Sequence, residues 1–120
     1  MVEPAANQKI VDVSWKEIEK FAEEICRQIK KEKLAFKNVY GILRGGLIPA
    51  VLISNLLELP IITSKKQITP ETLIVDDIED TGNTCCKYQK FSKNIAVLLR
   101  RNLKDVFYSK YYGMKINDAD

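Results

Sequence analysis

The run LIVDDIEDTGNT, residues 73 to 84, constrains what this chain can become more than any other stretch. Leu73, Ile74 and Val75 read as a strand buried on both faces, and Asp76, Asp77 and Asp80 follow where that strand ends and the backbone opens to solvent. Thr81, Gly82, Asn83 and Thr84 then form a turn whose N–H groups and two hydroxyls can wrap a phosphate at the start of the next helix. Carboxylates suit a diol and amides suit an anion, so one ribbon holds the makings of a sugar-phosphate site. A calcium loop is the rival reading, because Asp77, Glu79, Thr81 and Gly82 fall at its first, third, fifth and sixth positions. It fails at the twelfth, where Tyr88 replaces the bidentate acid, and again because a strand leads in instead of a helix.

The rest of the chain alternates around this strand. Ser14 and Glu17 make a capping box, Val13 and Ile18 can close a hydrophobic staple, and Ile18, Phe21, Ala22, Ile25 and Ile29 keep the helical period, which predicts a helix from about residue 15 to 32. Lys30, Lys31 and Lys33 near its end suit the negative end of the helix dipole. A strand is expected over Asn38 to Leu43, broken by Arg44, Gly45 and Gly46, and the apolar stretch Leu47 to Leu59 returns as a buried helix with Pro49 in its first turn. Ile61 to Thr63 begin a short strand, Ser64 to Glu71 connect, the acid-bearing strand covers Leu73 to Asp76, and a helix over Asn83 to Phe91 leads to a strand over Ile95 to Leu99. Such repeated units imply a Rossmann-like three-layer α/β/α fold, with a central, mostly parallel sheet and ligands at its carboxyl edge.

Composition narrows the classes. At 120 residues, 46% of them hydrophobic, the chain is expected to form a single domain over residues 1–120. A net charge of +3 from 19 basic and 16 acidic residues, spread along the sequence, does not point to nucleic acid. The apolar run Leu47 to Ile53 is far short of the roughly 18 residues a membrane span needs, and the N-terminus has no signal-peptide pattern, so no membrane partner and a cytoplasmic location are expected. Cys26, Cys85 and Cys86 have no metal-ligand spacing and no histidine accompanies them; Cys85 and Cys86 read as small buried residues at a helix start.

The pattern from Leu73 to Thr84 resembles the signature of type I phosphoribosyltransferases: an apolar strand, two acids, two variable residues, a third acid and Thr-Gly-x-Thr, which together bind 5-phosphoribosyl-1-pyrophosphate. Every defining position is filled. VYGILRGGLIPA, residues 39 to 50, resembles the pyrophosphate loop of the same family, and KIVDVSWKEIEKFAEEI, residues 9 to 25, resembles the opening of its xanthine-guanine members.

The resemblance implies transfer of a phosphoribosyl group to a purine base (guanine, xanthine or hypoxanthine) with release of pyrophosphate, as in purine salvage. It also implies a homodimer. Asp76 and Asp77 would take the ribose hydroxyls and support substrate-bound Mg2+; Asp80 would act as general base toward the incoming purine; Thr81, Gly82, Asn83 and Thr84 would hold the 5-phosphate. Leu43, Arg44, Gly45 and Gly46 would hold pyrophosphate, through close main-chain approach and a fixed charge, with the Leu43–Arg44 bond often cis in such enzymes. Arg101 stands where purine members place a base-contacting lysine, while Tyr111 or Tyr112 of the following YYGM segment either stacks on a base or packs in the core.

The lid and hood of the family are reduced. Ser64 to Glu71 is short for a closing lid, with Lys65, Lys66 and Gln67 as partial substitutes, and the aromatic-rich ending of many relatives is missing, as the sequence stops at Asp120. These departures favour, as the alternative, a non-catalytic nucleotide or phosphoribosyl-pyrophosphate sensor on the same fold.

Overall fold

The computed structural model describes residues 13–101 and 108–116. Its first element, α1 (Trp15–Glu32), matches the predicted helix at both ends because both ends are chemically fixed. The Glu17 amide donates to the Ser14 hydroxyl at 3.2 Å while Glu17 accepts from the Ser14 amide at 3.2 Å, and Lys33 closes the helix in the left-handed region. Its buried face is Ile18, Phe21, Ala22, Ile25, Cys26 and Ile29.

Five strands follow, β1 (Asn38–Gly41), β2 (Ile61–Ile62), β3 (Thr72–Glu79), β4 (Ile95–Arg101) and β5 (Tyr111–Ile116), with helices α2 (Leu47–Leu57) and α3 (Asn83–Gln89) between them. They form one sheet in the order β2-β1-β3-β4-β5, and every pairing is parallel. Helices α1 and α2 cover one face with Val39, Leu73, Val75, Ala96 and Leu98; α3 covers the other, where Cys85 meets Tyr40, Ile74, Ile95 and Val97. This is the expected three-layer fold. Both faces of β3 and β4 are thereby roofed, which is why Leu73 to Val75 and Ile95 to Leu99 are apolar without alternation.

Three expectations are corrected, and one strand is added. The acid-bearing strand does not stop at Asp76; it continues to Glu79, so Asp76 and Asp77 are buried strand residues and not solvent-facing turn residues. β1 ends at Gly41, two residues early, because the chain turns at once into the loop over residues 42–46. α2 is buried on one side only: Pro49, Ala50, Ile53 and Ser54 face the core, while Leu47, Ile48, Val51 and Leu56 stand exposed. Tyr111 to Ile116 form a strand that sequence reading leaves undefined.

Tyr111 answers its own open alternative by packing edge-on against Phe36 in the core and donating its hydroxyl to Glu32 at 2.9 Å. β5 ends the strand order, and α1 closes part of its free edge: Gln28 donates to the Tyr112 carbonyl at 2.8 Å and accepts from the Tyr112 amide at 3.3 Å. Among the described residues, no helix is long and apolar enough to cross a membrane.

Candidate active site

The strand order turns back on itself beside β1. From β1 the chain moves outward to β2, then returns across to β3 on the other flank of β1, leaving a crevice where the loops after β1 and β3 diverge. A cleft of about 490 Å³ occupies that point. Its walls are Ile42 to Gly45 on one side and Asp76 to Cys85 on the other, so the two segments singled out in the sequence face each other.

Asp76 and Asp77 sit at the bottom, 7% and 9% exposed. Each carboxylate accepts the next residue's amide at 2.8 Å, Asp76 from Asp77 and Asp77 from Ile78. One oxygen of each is thus fixed and the pair is held side by side. Burial, and next the neighbouring Asp77 carboxylate, push Asp76 up to about 8, so the ligand-free pair keeps a proton at neutral pH that a cation would displace. Two oxygen donors of this kind fit Mg2+, which typically takes one or two carboxylates and completes its shell with substrate phosphates and water. Among the described residues no group of three or more His, Cys, Asp or Glu gathers into a metal cage, which a calcium loop would require.

After β3 the chain turns through residues 80–82 into α3. Gly82 holds φ +84, a conformation open to glycine at little cost, and it caps the helix. Thr81 Oγ1 accepts the Asn83 amide at 3.3 Å, while the Cys86 amide donates to the Gly82 carbonyl at 2.8 Å. Asp80 lies at the rim of this turn. A guanidinium nitrogen of Arg101, from the end of β4, stands 3.5 Å from Asp80 Oδ1, and Arg101 is itself only 2% exposed.

Across the cleft, the Leu43–Arg44 peptide is cis, as the resemblance implied. The loop is anchored to β3 by the Ile42 amide donating to Val75 at 2.8 Å and closed by the Gly46 amide donating to Ile42 at 2.8 Å. A Cβ on Gly45 would lie 2.3 Å from Asp77 Oδ2, so the main chain passes against the carboxylate itself. Gly46 is equally constrained, by the Val75 carbonyl at 2.3 Å, yet it is buried under the loop and does not line the cleft. Its place in the fold is a packing one, under the loop.

Leu43, Arg44, Gly45, Asp76, Asp77, Asp80, Thr81, Gly82, Asn83 and Thr84 are therefore brought together. Arg101 is not a wall of the cleft; it stands against Asp80, where the expectation was a side chain free to meet a base. Lys65, Lys66 and Gln67 do not line it either: they form a short 3-10 turn, and Lys65 lies 5.0 Å over the Tyr88 ring. Cys85 is buried as expected, but Cys86 is exposed. Sequence reading missed Glu79, which is buried, lines the cleft and sits at a position the motif leaves variable. Among the acids around it, nothing in the sequence sets it apart.

No family model matches the chain. A xanthine-guanine phosphoribosyltransferase of Idiomarina loihiensis is 30% identical over 95 residues, 60% of this chain and 58% of that protein. One of Nitratidesulfovibrio vulgaris is 27% identical over 126 residues, 88% of this chain and 70% of that protein. The chain thus spans little more than half the length of the first of these curated relatives. Among solved structures, a purine phosphoribosyltransferase of Pyrococcus horikoshii is similar with a TM-score of 0.70 at 22% identity, over 87% of this chain and 86% of that one. The chain is thus similar in sequence to xanthine-guanine phosphoribosyltransferases, and it shares its fold with a purine phosphoribosyltransferase.

Proposed function

We propose that this protein is a cytoplasmic, Mg2+-dependent phosphoribosyltransferase that joins the phosphoribosyl group of 5-phosphoribosyl-1-pyrophosphate to guanine, xanthine or hypoxanthine and releases pyrophosphate. The observation that carries the reading is the facing of two loops across one crevice, acids and a small hydroxyl-bearing turn on one wall and Leu43 to Gly45 on the other. An anion has donors at both ends of the cleft, and a sugar has acids between them.

In such a transfer the bond from the anomeric carbon to pyrophosphate loosens ahead of attack, and positive charge spreads onto the ribose ring. Asp76 and Asp77 lie fixed at the cleft floor, where they accept the ribose hydroxyls and stabilise that charge without rearranging. Mg2+, when bound, would sit at these two carboxylates and neutralise the pyrophosphate as it departs. The Thr81 to Thr84 turn grips the 5-phosphate with amides and hydroxyls. Arg44 and the exposed main chain of Gly45 take the leaving group, and Asp80, oriented by Arg101, accepts the proton of the attacking base nitrogen.

A coupled assay of pyrophosphate release with each of the three bases tests this. Saturable turnover is expected with at least one, and Asp80→Asn should lower kcat by about 10²-fold or more while changing the KM for phosphoribosyl pyrophosphate little. Thermal stabilisation by phosphoribosyl pyrophosphate with no product from any base would overturn the enzyme and leave a sensor. The outward Leu47, Ile48, Val51 and Leu56 of α2, a helix without one charged residue, form the surface we assign to a homodimer.

A further inference from the structure

Glu79 is the most enclosed acid of the ribbon, 2% exposed, and its hydrogen bonds reach forward to the residues just before β5. Its carboxylate accepts the Tyr108 amide at 2.7 Å, the Ser109 amide at 3.3 Å and the Ser109 hydroxyl. Arg100 Nε stands 3.7 Å away; the same guanidinium donates to Ser109 Oγ at 3.1 and 2.9 Å and lies 4.1 Å over the Tyr112 ring. A buried carboxylate is tolerated only when fully supplied with donors, and here four surround it. An apolar residue would satisfy the sheet at this point, so the polar arrangement has to be explained by what it holds.

What it holds is Tyr108. That ring lies directly on Gly82: a Cβ there would come within 2.9 Å of Tyr108 Cδ2. The phenol end reaches the Cys86 thiol on α3. Tyr108 therefore spans the turn from its left-handed glycine to the following helix, and its main chain is tied to Glu79, three residues before that glycine in sequence. Strand end, turn and the approach to β5 close into one ring of contacts.

We propose that Glu79 is a positioning residue for the 5-phosphate turn: by clamping Tyr108 and Ser109 it seats the Tyr108 ring on Gly82 and holds residues 81–84 in the shape that wraps a phosphate. The assignment rests on the reading of those residues as the phosphate site. It requires Glu79 to act through Tyr108, so that loss of either has the same effect and loss of both has no more.

Amide hydrogen exchange on the ligand-free protein, with Glu79→Gln, Tyr108→Ala and the double variant, reads the clamp without any substrate. Each single change should accelerate exchange of the amides of residues 82–86 by about tenfold, and the double variant should not exceed the larger single effect. In steady-state kinetics each should raise the KM for phosphoribosyl pyrophosphate by about tenfold, with kcat and the purine KM within about threefold. Unchanged exchange in Glu79→Gln, or single effects that add, would overturn the proposal. Should Glu79→Gln not fold, Tyr108→Ala and Tyr108→Phe decide: the phenylalanine keeps the ring on Gly82 and should restore wild-type exchange, whereas an alanine variant indistinguishable from wild type overturns the clamp. If wild-type protein neither binds nor turns over phosphoribosyl pyrophosphate, the proposed function falls while the exchange experiment still rules on Glu79.

Discussion

Asp76 is where burial and chemistry conflict most openly. A carboxyl normally titrating near 3.8 is raised to about 8, by its enclosure and then by Asp77. Between those values the folded protein retains a proton that the unfolded chain gives up, so linkage makes folding stability fall as pH rises through the window and leaves it flat below about 4 and above about 8. Asp76→Asn removes the titration but keeps the oxygen that accepts the Asp77 amide. Melting curves in EDTA should therefore show the variant gaining on wild type from pH 4 to pH 8 and ending several degrees above it. A gap independent of pH would mean that Asp76 is already ionised in the folded state. The place of this residue in an acid motif was legible from spacing; its burial was not, because acids after an apolar run read as the end of a strand, and pairing with β4, Asp76 against Val97, Ile78 against Leu99 and Glu79 against Arg100, keeps the chain extended.

At the scale of elements, the junction of β1, α2 and β3 shows two adjacent glycines with different duties. Alanine at position 45 would displace the Asp77 side-chain carboxylate from its place at the cleft floor, whereas alanine at 46 would meet the Val75 carbonyl of the central strand, which has nowhere to go. Gly46→Ala is expected to lower unfolding stability by about 2 kcal/mol or more in urea titrations, and Gly45→Ala by less, with its damage falling on turnover instead. Equal loss of stability in both would contradict the packing described. α1 was readable at both ends since a capping box and a five-residue apolar stripe agree, and the structure adds Cys26 to that stripe. β5 was not: Tyr111 to Ile116 carries no turn signal and its burial pattern does not alternate, because Gly113 fits against Phe21 only once α1 is in place. α2 misled for a related reason. Its sequence is apolar nearly all round, the mark of a helix enclosed on every side, and the described residues enclose only one side of it.

For the whole molecule, that uncovered half predicts association. Leu47, Ile48, Val51 and Leu56 face outward from a helix with no charge to repel its own copy across a two-fold axis. Sedimentation velocity should find wild type as a dimer and Val51→Glu as a monomer, and a wild-type monomer at micromolar concentration would remove the assignment. Arg44 and Leu43 adjoin this surface, so dissociation should also weaken pyrophosphate binding. The crevice itself has a simpler origin in the rungs of the sheet. Gly41 pairs with Val75, and the two loops that face the cleft leave from those neighbouring strands, roughly 4.8 Å apart. The jaws of this caliper are rooted in neighbouring rungs and open as they rise, so gauge is set at the root: the spacing of two strands fixes how near the acids of one jaw stand to the main chain of the other.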